Sequence, residues 1–407
     1  MIRLFASANI VLVLLLTLTL PSFAVLILFA TSNALGLLIV LGMNISLFLI
    51  SRAFDRYPKP VGRSIFIVII IIGLVLIHGT ISFFIHDDFD FGRFFQTYLY
   101  LIMFLAGCFS LSLLLYYIPD LQWDVAVRRV FYVLLLSAFA AILGFSPFPS
   151  GQNKPVFFYN EASHFALDFL PLLLYVVVKS SNRRKQLVLT LGYLIGFLLE
   201  NLSLLVGCTL IFAIAIPFRR SLVPVFMICI AALYGVSNMD YYSARLDLTG
   251  NNQSTLILLS GWERAYLSFK DTYGLGVGFQ QFGIIGSHGT IMDVVNDIAG
   301  VDDLNLRDGG AVAPKIIGEF GIFGLALLGA YFMYFFRSFS WLRQIALGKI
   351  ASQKGSNVFF VSWYLMFVID FFVRGAGYFY STGYMFVSAV FWLFAFGNID
   401  CLRSIRR

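Results

Sequence analysis

Hydrophobic residues in this chain fall in long blocks that are separated by short polar connections. A hydrocarbon core of roughly 30 Å takes about 20 helical residues to cross, and most blocks are near that length. The period-two alternation of barrel strands is absent, so the blocks are predicted to be helices, whose backbone groups are satisfied internally. We predict twelve helices, near residues 8–30, 33–51, 64–85, 95–117, 130–145, 164–179, 186–199, 201–217, 221–236, 311–336, 358–373 and 379–397.

The region 186–217 is either one long kinked helix or two short helices that meet near Glu200 and Asn201. The first block has no small-residue cleavage site followed by a polar domain, so we interpret it as a retained helix and not as a signal peptide.

Composition excludes a soluble protein. Hydrophobic residues make up 60% of the 407 residues, charged residues 12%, and the mean hydropathy is +0.88. A soluble domain carries about 25% charged residues. The four cysteines lie inside apolar blocks or in the tail, which argues against a disulfide framework or a metal site. The net charge of +7 reflects loop charges of a membrane protein, and no nucleic-acid partner is expected.

The basic residues predict the orientation, because Lys and Arg concentrate in cytoplasmic loops. With both termini in the cytoplasm, 20 of the 28 basic residues lie inside. The eight on the other side are Arg93, Lys154, Arg245, Arg264, Lys270, Arg307, Lys315 and Arg374. The chain is then a single integral membrane domain, 1–407, in a bacterial inner membrane. Its two long outer stretches are about 146–163 and 237–310.

The large outer loop, 237–310, contains a predicted helix at 254–273. Ser254 is its expected N-cap, and Trp262, Tyr266 and Phe269 recur at helical spacing. We expect this helix to lie at the membrane surface.

The first chemical motif is F-F-Y-N-E-A-S-H-F-A at 157–166, at the start of the 164–179 helix. It places the carboxylate of Glu161 three residues before the imidazole of His164, with Asp168 one turn further on the same face. Ionisable residues at membrane depth are functional candidates. The alternative is that the acidic residue only caps the helix, where the macrodipole favours it.

The second motif is W-E-R at 262–264, followed by G-L-G-V-G-F at 274–279. No strand precedes the glycines, so they do not form a dinucleotide loop. Glycines allow the backbone to approach a ligand closely, which makes Gly276 and Gly278 candidates for substrate binding. The alternative for Arg264 is that its guanidinium only reaches to lipid headgroups.

The third motif is R-D-G-G at 307–310, then Lys315 and E-F-G-I-F-G-L at 319–325, where a helix begins. Lys315 and Glu319 are four residues apart, so the alternative to a functional role is a structural ion pair between them.

Together these features resemble the O-antigen polymerase and ligase superfamily. An arginine in a large outer loop precedes G-L-G-x-G-F, and E-F-G-I-F-G-L begins the next helix. The F-x-x-E-A-S-H-F-A element resembles the polymerase branch, although proline is common there at the position of Ala162. Ligases carry a His-Asn pair before E-x-G-x-x-G, where this chain has Arg307 to Gly310; His288 lies further upstream.

The resemblance implies an all-α, C-type glycosyltransferase-like fold. It implies that undecaprenyl-diphosphate-linked oligosaccharide repeats are polymerised into O-antigen or a related polysaccharide at the periplasmic face, in lipopolysaccharide biosynthesis. The partners would be that substrate, membrane lipid and a chain-length regulator, with no metal or other cofactor. An O-antigen ligase, or a transporter such as a flippase of the same lipid, is the alternative.

The resemblance and the chemistry together assign roles to the candidate residues. Arginine presents a rigid fork suited to phosphate, and Arg264 is the first choice for the diphosphate. Glu161, then His164, are the candidates for a base that accepts the proton of the acceptor hydroxyl. The other candidates for substrate binding are Arg245, Arg307, Arg374, Arg93, Gly276, Gly278, Lys315, Glu319 and His288.

Overall fold

The computed structural model describes residues 7–29, 32–50, 61–116, 118–148, 154–217, 252–300, 305–350 and 353–395. These residues form helices and connecting loops, and the only β-type pairings among them are two isolated bridges, Val156 with Tyr159 and Phe282 with Ile285. The predicted all-α class is confirmed for this part of the chain. The predicted helix at 221–236 and Arg245 lie outside the described residues.

Thirteen helices are present in the described residues, and the last continues as a π-helix over Phe391–Ala395. Their bounds are α1 Ser7–Ile27, α2 Asn33–Ile50, α3 Val61–Ile85, α4 Phe91–Tyr116, α5 Asp120–Ile142, α6 Ala162–Val178, α7 Asn182–Leu198, α8 Leu202–Ala215, α9 Gln253–Asp271, α10 Thr290–Ala299, α11 Val312–Ala346, α12 Gly355–Phe372 and α13 Ser381–Val390.

Seven of these helices, α1 to α5, α11 and α12, are long and apolar enough to cross a membrane. Three shorter apolar helices, α6, α8 and α13 with its π-helical extension, pack among them. This architecture indicates a multi-pass membrane protein.

Two predicted helix bounds were wrong, because hydropathy marks only the part of a helix that is apolar. The fifth helix begins at Asp120, directly after Pro119, and not near 130. Its polar first turns contain Asp124 and Arg128, which form an ion pair at 3.7 Å. Similarly, α11 continues to Ala346 and not to about 336.

The region 186–217 forms two short helices, which decides between the two interpretations. The chain turns at Glu200, whose φ is 48°. Asn201 caps α8 by accepting a hydrogen bond from the Leu204 N–H at 3.1 Å, and it donates another to the Ala162 carbonyl at 2.6 Å. Glu200 is ion-paired with Lys154. The tip of this hairpin therefore lies against the first residue of α6.

The central helices of the bundle are buried by their neighbours, whereas peripheral helices are mostly exposed. In α12, 89% of the most apolar 18-residue window is buried inside the protein, whereas in α3 the share is 11%. Helix α12 packs against α6, α11 and α13. The large apolar side chains of α3 remain exposed, as expected for a helix that faces lipid.

Basic residues gather at one end of the bundle and bind the carbonyls at helix C-termini. Lys185 donates to the Ala346 carbonyl, and Arg343 donates to the Ala213 carbonyl. Arg128 donates to the carbonyl of Lys179, the C-cap residue of α6, at 3.3 Å. Cations at helix C-termini are favoured by the macrodipole. The first residues of α6 and α11, where the sequence motifs lie, are at the opposite end of the same helices.

The glycine motif and the start of α11 are joined through their backbones. Gly321 interrupts α11 with φ 56° and ψ −126°, which leaves nearby backbone groups without helical partners. The Gly318 and Glu319 carbonyls accept hydrogen bonds from the N–H groups of Val277 and Gly278, each at 2.9 Å. The Ile322 N–H donates to the Gly274 carbonyl at 2.8 Å. The segment 274–278 therefore completes the hydrogen bonding of the broken helix.

This contact gives the glycines a structural role. A Cβ atom on Gly276 would lie 2.5 Å from the Glu319 carbonyl oxygen. The backbone at Gly276 thus closely approaches the backbone of α11, whereas a Cβ atom on Gly278 would meet the side chains of Ser82 and Phe89.

Replacing Gly321 with alanine is expected to destabilise the protein by roughly 2 to 6 kcal/mol, the sum of a backbone penalty and an overpacking penalty. A φ/ψ combination that L-residues rarely adopt costs about 1–3 kcal/mol, and overpacking costs about 1–3 kcal/mol; the new Cβ would lie 1.9 Å from the Gly274 oxygen. Thermal unfolding in detergent measures the change. Gly329→Ala is the control, because that glycine has open space in the same helix and alanine there is neutral or stabilising. Equal melting temperatures for both variants would contradict the interpretation of the break.

Candidate functional site

Glu161 forms an ion pair with Arg374, 213 residues away in the chain. The Glu161 Oε1 atom lies 2.8 Å from Arg374 Nη2 and accepts the Ser163 hydroxyl at 2.5 Å. Glu161 occupies the N-cap position of α6, with φ −143° and ψ 139°, but its side chain makes no capping hydrogen bond. Glu161 is therefore at the N-cap position, as the capping alternative required, but its carboxylate does not cap the helix.

The surroundings of Glu161 favour its charged form. Burial raises the pKa of the carboxyl group, but Arg374, His164 and the Ser163 hydroxyl outweigh burial, and the net pKa is lowered from the ordinary value. A carboxylate with a lowered pKa is a weaker proton acceptor at neutral pH. The lowered pKa therefore argues against Glu161 as a base, the role for which the sequence placed it ahead of His164.

The stability that Glu161 contributes should depend on pH. Because its pKa is lowered in the folded protein, this contribution is present above the ordinary pKa of 4.5 and is lost as the pH falls through the lowered folded value. We expect wild type to melt above Glu161→Gln at pH 7, and the difference to shrink progressively below about pH 4.5. Thermal unfolding in detergent across this range tests it; a constant difference at all pH values would contradict the charged pair.

His164 lies between two polar side chains and under an aromatic ring. Its Nδ1 atom is 3.2 Å from Asn160 Oδ1, and its Nε2 atom is 3.9 Å from Glu161 Oε2. The Tyr380 ring covers the imidazole with centroids 4.7 Å apart. The side chain is 12% exposed. His164 is therefore held in place while part of its surface stays accessible.

Two buried acids fix the loop 373–380, which carries Arg374. Asp370 accepts the Ala376 N–H at 2.9 Å and the Thr382 hydroxyl at 2.5 Å. Asp168 accepts the Ser381 hydroxyl at 2.7 Å. Asp168 follows His164 by four residues on the same helix, but its carboxylate is directed toward α13 and not toward the imidazole. These acids give the loop a defined conformation, so the Arg374 guanidinium is held in place.

The first turns of α11 contribute a second set of charges. The Lys315 ammonium lies 3.9 Å from the Asp308 carboxylate and 5.0 Å from the centre of the Tyr378 ring. Lys315 is 4% exposed and Glu319 is fully buried. The structural alternative, an ion pair between Lys315 and Glu319, is found only as an electrostatic interaction between the two groups; the direct ion pair of Lys315 is with Asp308.

Arg93 joins this set from the first turn of α4. Its Nε donates to the Gln280 carbonyl at 3.0 Å and its Nη2 to Gln280 Oε1 at 3.3 Å. Arg307, Glu319 and Asp308 are close enough to interact with it electrostatically, and Asp308 also acts on His164. The structure therefore gathers one charged cluster at this end of the bundle: Glu161, His164, Arg374, Arg307, Asp308, Lys315, Glu319 and Arg93.

Arg264 lies inside the protein and does not reach outward to lipid. It is 2% exposed, and its guanidinium carbon is 4.6 Å from the centre of the Phe282 ring. The same Phe282 ring also lies against Gly318 at the start of α11. The lipid-headgroup alternative for Arg264 was therefore wrong. The predicted N-cap of its helix was also wrong, because Asn252 and not Ser254 accepts the Thr255 N–H.

His288 lies in a groove at the start of α10. It is exposed, and the open groove of about 530 Å³ is also lined by Glu263, Leu267 and Asp293. Glu263 caps α10 there by accepting the N–H groups of Thr290 and Ile291 at 3.1 and 2.8 Å.

Sequence reasoning missed several residues of the site. Asn160 contacts His164, Ser22 donates to Asn160, Tyr380 covers the imidazole ring, and Gln280 accepts hydrogen bonds from Arg93. Only Asn160 had a usable signal, since it directly precedes Glu161 in the motif. The others come from distant segments.

No protein-family model, curated protein or solved structure matches this chain.

Proposed function

We propose that this protein polymerises undecaprenyl-diphosphate-linked oligosaccharide repeat units into O-antigen or a related surface polysaccharide, at the periplasmic face of a bacterial inner membrane. The observation that supports this most is the cluster of Glu161, His164 and Arg374 with the cations of α4 and α11. It lies at one end of a membrane helix bundle, where a lipid-linked substrate presents its head group.

The chemistry of glycosyl transfer fits these groups. A hydroxyl oxygen of the acceptor repeat attacks the anomeric carbon of the donor chain, and a new glycosidic C–O bond forms. The C–O bond to the diphosphate breaks, and its electron pair leaves with undecaprenyl diphosphate. His164 accepts the hydroxyl proton, and Glu161 stabilises the resulting imidazolium. Fixed cations stabilise the charge that develops on the leaving diphosphate; the candidates are Arg93, Arg307, Lys315, Arg374 and Arg264.

Deletion of the gene tests the proposal directly. We expect surface polysaccharide on a gel to change from a ladder to a single capped repeat, and the wild-type gene to restore the ladder. Loss of all attached sugar would instead indicate a ligase or a flippase. An unchanged ladder would exclude all three functions.

The proposal includes an orientation, with both termini in the cytoplasm and 237–310 in the periplasm. It is supported by the basic residues that bind helix C-termini at the end opposite to the charged cluster. In a background without the four native cysteines, Tyr273→Cys should react with a membrane-impermeant thiol reagent in intact spheroplasts. Tyr273 is 97% exposed. Lys349→Cys, at the other end, should react only after lysis. The reverse pattern would overturn the orientation.

A further inference from the structure

The amide of Asn160 is held in one orientation by Ser22 of α1. The Asn160 backbone N–H donates to Ser22 Oγ at 3.0 Å, and the Ser22 hydroxyl donates its own hydrogen to Asn160 Oδ1 at 2.8 Å. Ser22 is fully buried. In this arrangement the Asn160 atom that faces His164 is Oδ1, an oxygen that can only accept.

This oxygen selects one tautomer of His164. Oδ1 is 3.2 Å from Nδ1, a distance at which an N–H is attractive and two lone pairs would repel. The hydrogen of the neutral imidazole is therefore placed on Nδ1. Nε2 then carries the lone pair, and Glu161 Oε2 at 3.9 Å is too distant for a direct hydrogen bond.

Two carboxylates and one cation surround the ring: Glu161 and Asp308 favour a proton on Nε2, whereas Arg374 opposes it. Tyr380 covers the face of the ring. When Nε2 gains a proton, the imidazolium lies between the Asn160 oxygen and the Glu161 carboxylate. A histidine base generally needs such a partner on its second nitrogen to set its tautomer.

We propose that Asn160 is a positioning residue, which holds His164 as the Nδ1–H tautomer and leaves Nε2 to accept the proton of the acceptor hydroxyl. The tautomer is a property of the protein alone. Only its catalytic consequence rests on the proposed polymerase function.

The chain contains an internal reference with the opposite tautomer. His78 of α3 has its Nε2 atom 2.9 Å from the Leu275 carbonyl oxygen. A backbone carbonyl only accepts, so the hydrogen of neutral His78 is placed on Nε2. The two histidines should therefore give different ¹⁵N spectra in one sample.

Magic-angle-spinning NMR of ¹⁵N-histidine-labelled protein in lipid at alkaline pH tests the tautomer. The chain has four histidines, and His164→Gln and His78→Gln assign the two signals of interest. We expect Nδ1–H for His164 and Nε2–H for His78. Asn160→Leu should remove the preference at His164 and leave His78 unchanged, whereas Asn160→Asp, which keeps the acceptor oxygen, should retain Nδ1–H. Nε2–H at His164 in wild type, or no change in Asn160→Leu, would overturn the proposal.

Polymerisation by reconstituted protein tests the catalytic consequence. Asn160→Leu should lower kcat by roughly tenfold to a hundredfold, less than the loss of the base itself, with KM little changed; Asn160→Asp should recover most of kcat. If Asn160→Leu does not fold, Ser22→Ala, which frees the amide to turn, should act in the same direction. A normal kcat in a variant whose His164 tautomer has changed would show that the tautomer does not matter for catalysis, and would reject that part of the proposal. A wild-type protein that shows the expected tautomer but never makes polymer would reject the proposed function instead.

Discussion

Replacing His164 with alanine is expected to reduce polymer formation by about 10²- to 10⁴-fold, the usual contribution of a general base. The protein should remain in the membrane in normal amount, because the alanine stays compatible with helix α6. Glu161→Gln is expected to impair polymer formation as well. It keeps the shape of the side chain but removes the charge that pairs with Arg374 and faces the imidazole. The readout is polymer made by purified variant from lipid-linked repeat.

The control for this experiment is a second ion pair at the same end of the bundle. Lys154 and Glu200 are paired between the loop before α6 and the turn between α7 and α8, and neither belongs to the charged cluster. Glu200→Gln should leave polymer formation near normal. A charge exchange, Glu161→Arg with Arg374→Glu, should keep an ion pair and normal expression but should not give wild-type activity if the pair serves catalysis. Full-length polymer in normal amounts from His164→Ala and Glu161→Gln would reduce this motif to a structural role.

The sequence predicted the helices well, because their apolar blocks are continuous and lipid requires internally satisfied backbone. The start of α5 at Asp120 was missed because the prediction relied on hydropathy, and the first turns of this helix are polar. The N-cap of α9 was misplaced by two residues, as Asn252 and Ser254 are both favourable caps. Only geometry shows that Asn252 accepts the Thr255 N–H.

The candidate site could be predicted only in part. Local spacing identified Glu161, His164, Lys315 and Glu319, because neighbours on a helix are set by its period. The partners of these residues come from far along the chain, such as Arg374 for Glu161. No period connects positions 213 residues apart. The glycine motif is a second example. Its glycines predicted a close approach of the backbone to another group, but the sequence did not show that this group is the break in α11 at Gly321.

Arg264→Lys is expected to retain expression and to lose most activity, by up to a few kcal/mol of transition-state stabilisation, the scale of one preorganised donor to a developing anion. A bidentate fork to a diphosphate is not reproduced by an ammonium group. Because Arg264 is buried over Phe282, a structural role must be separated from a role in binding.

Arg264→Met provides that separation, since it keeps an apolar stem over Phe282 and removes the charge. If Arg264 binds the diphosphate, the Lys and Met variants should melt close to wild type in detergent while polymerisation falls in both. Arg337→Lys is the matched control: its guanidinium also lies over a ring, 5.3 Å from the centre of Tyr334, but it is exposed near the opposite end of α11. Polymerisation by Arg337→Lys should be normal. Wild-type activity in Arg264→Lys would assign Arg264 to packing alone and would leave the diphosphate to Arg93 and Arg307.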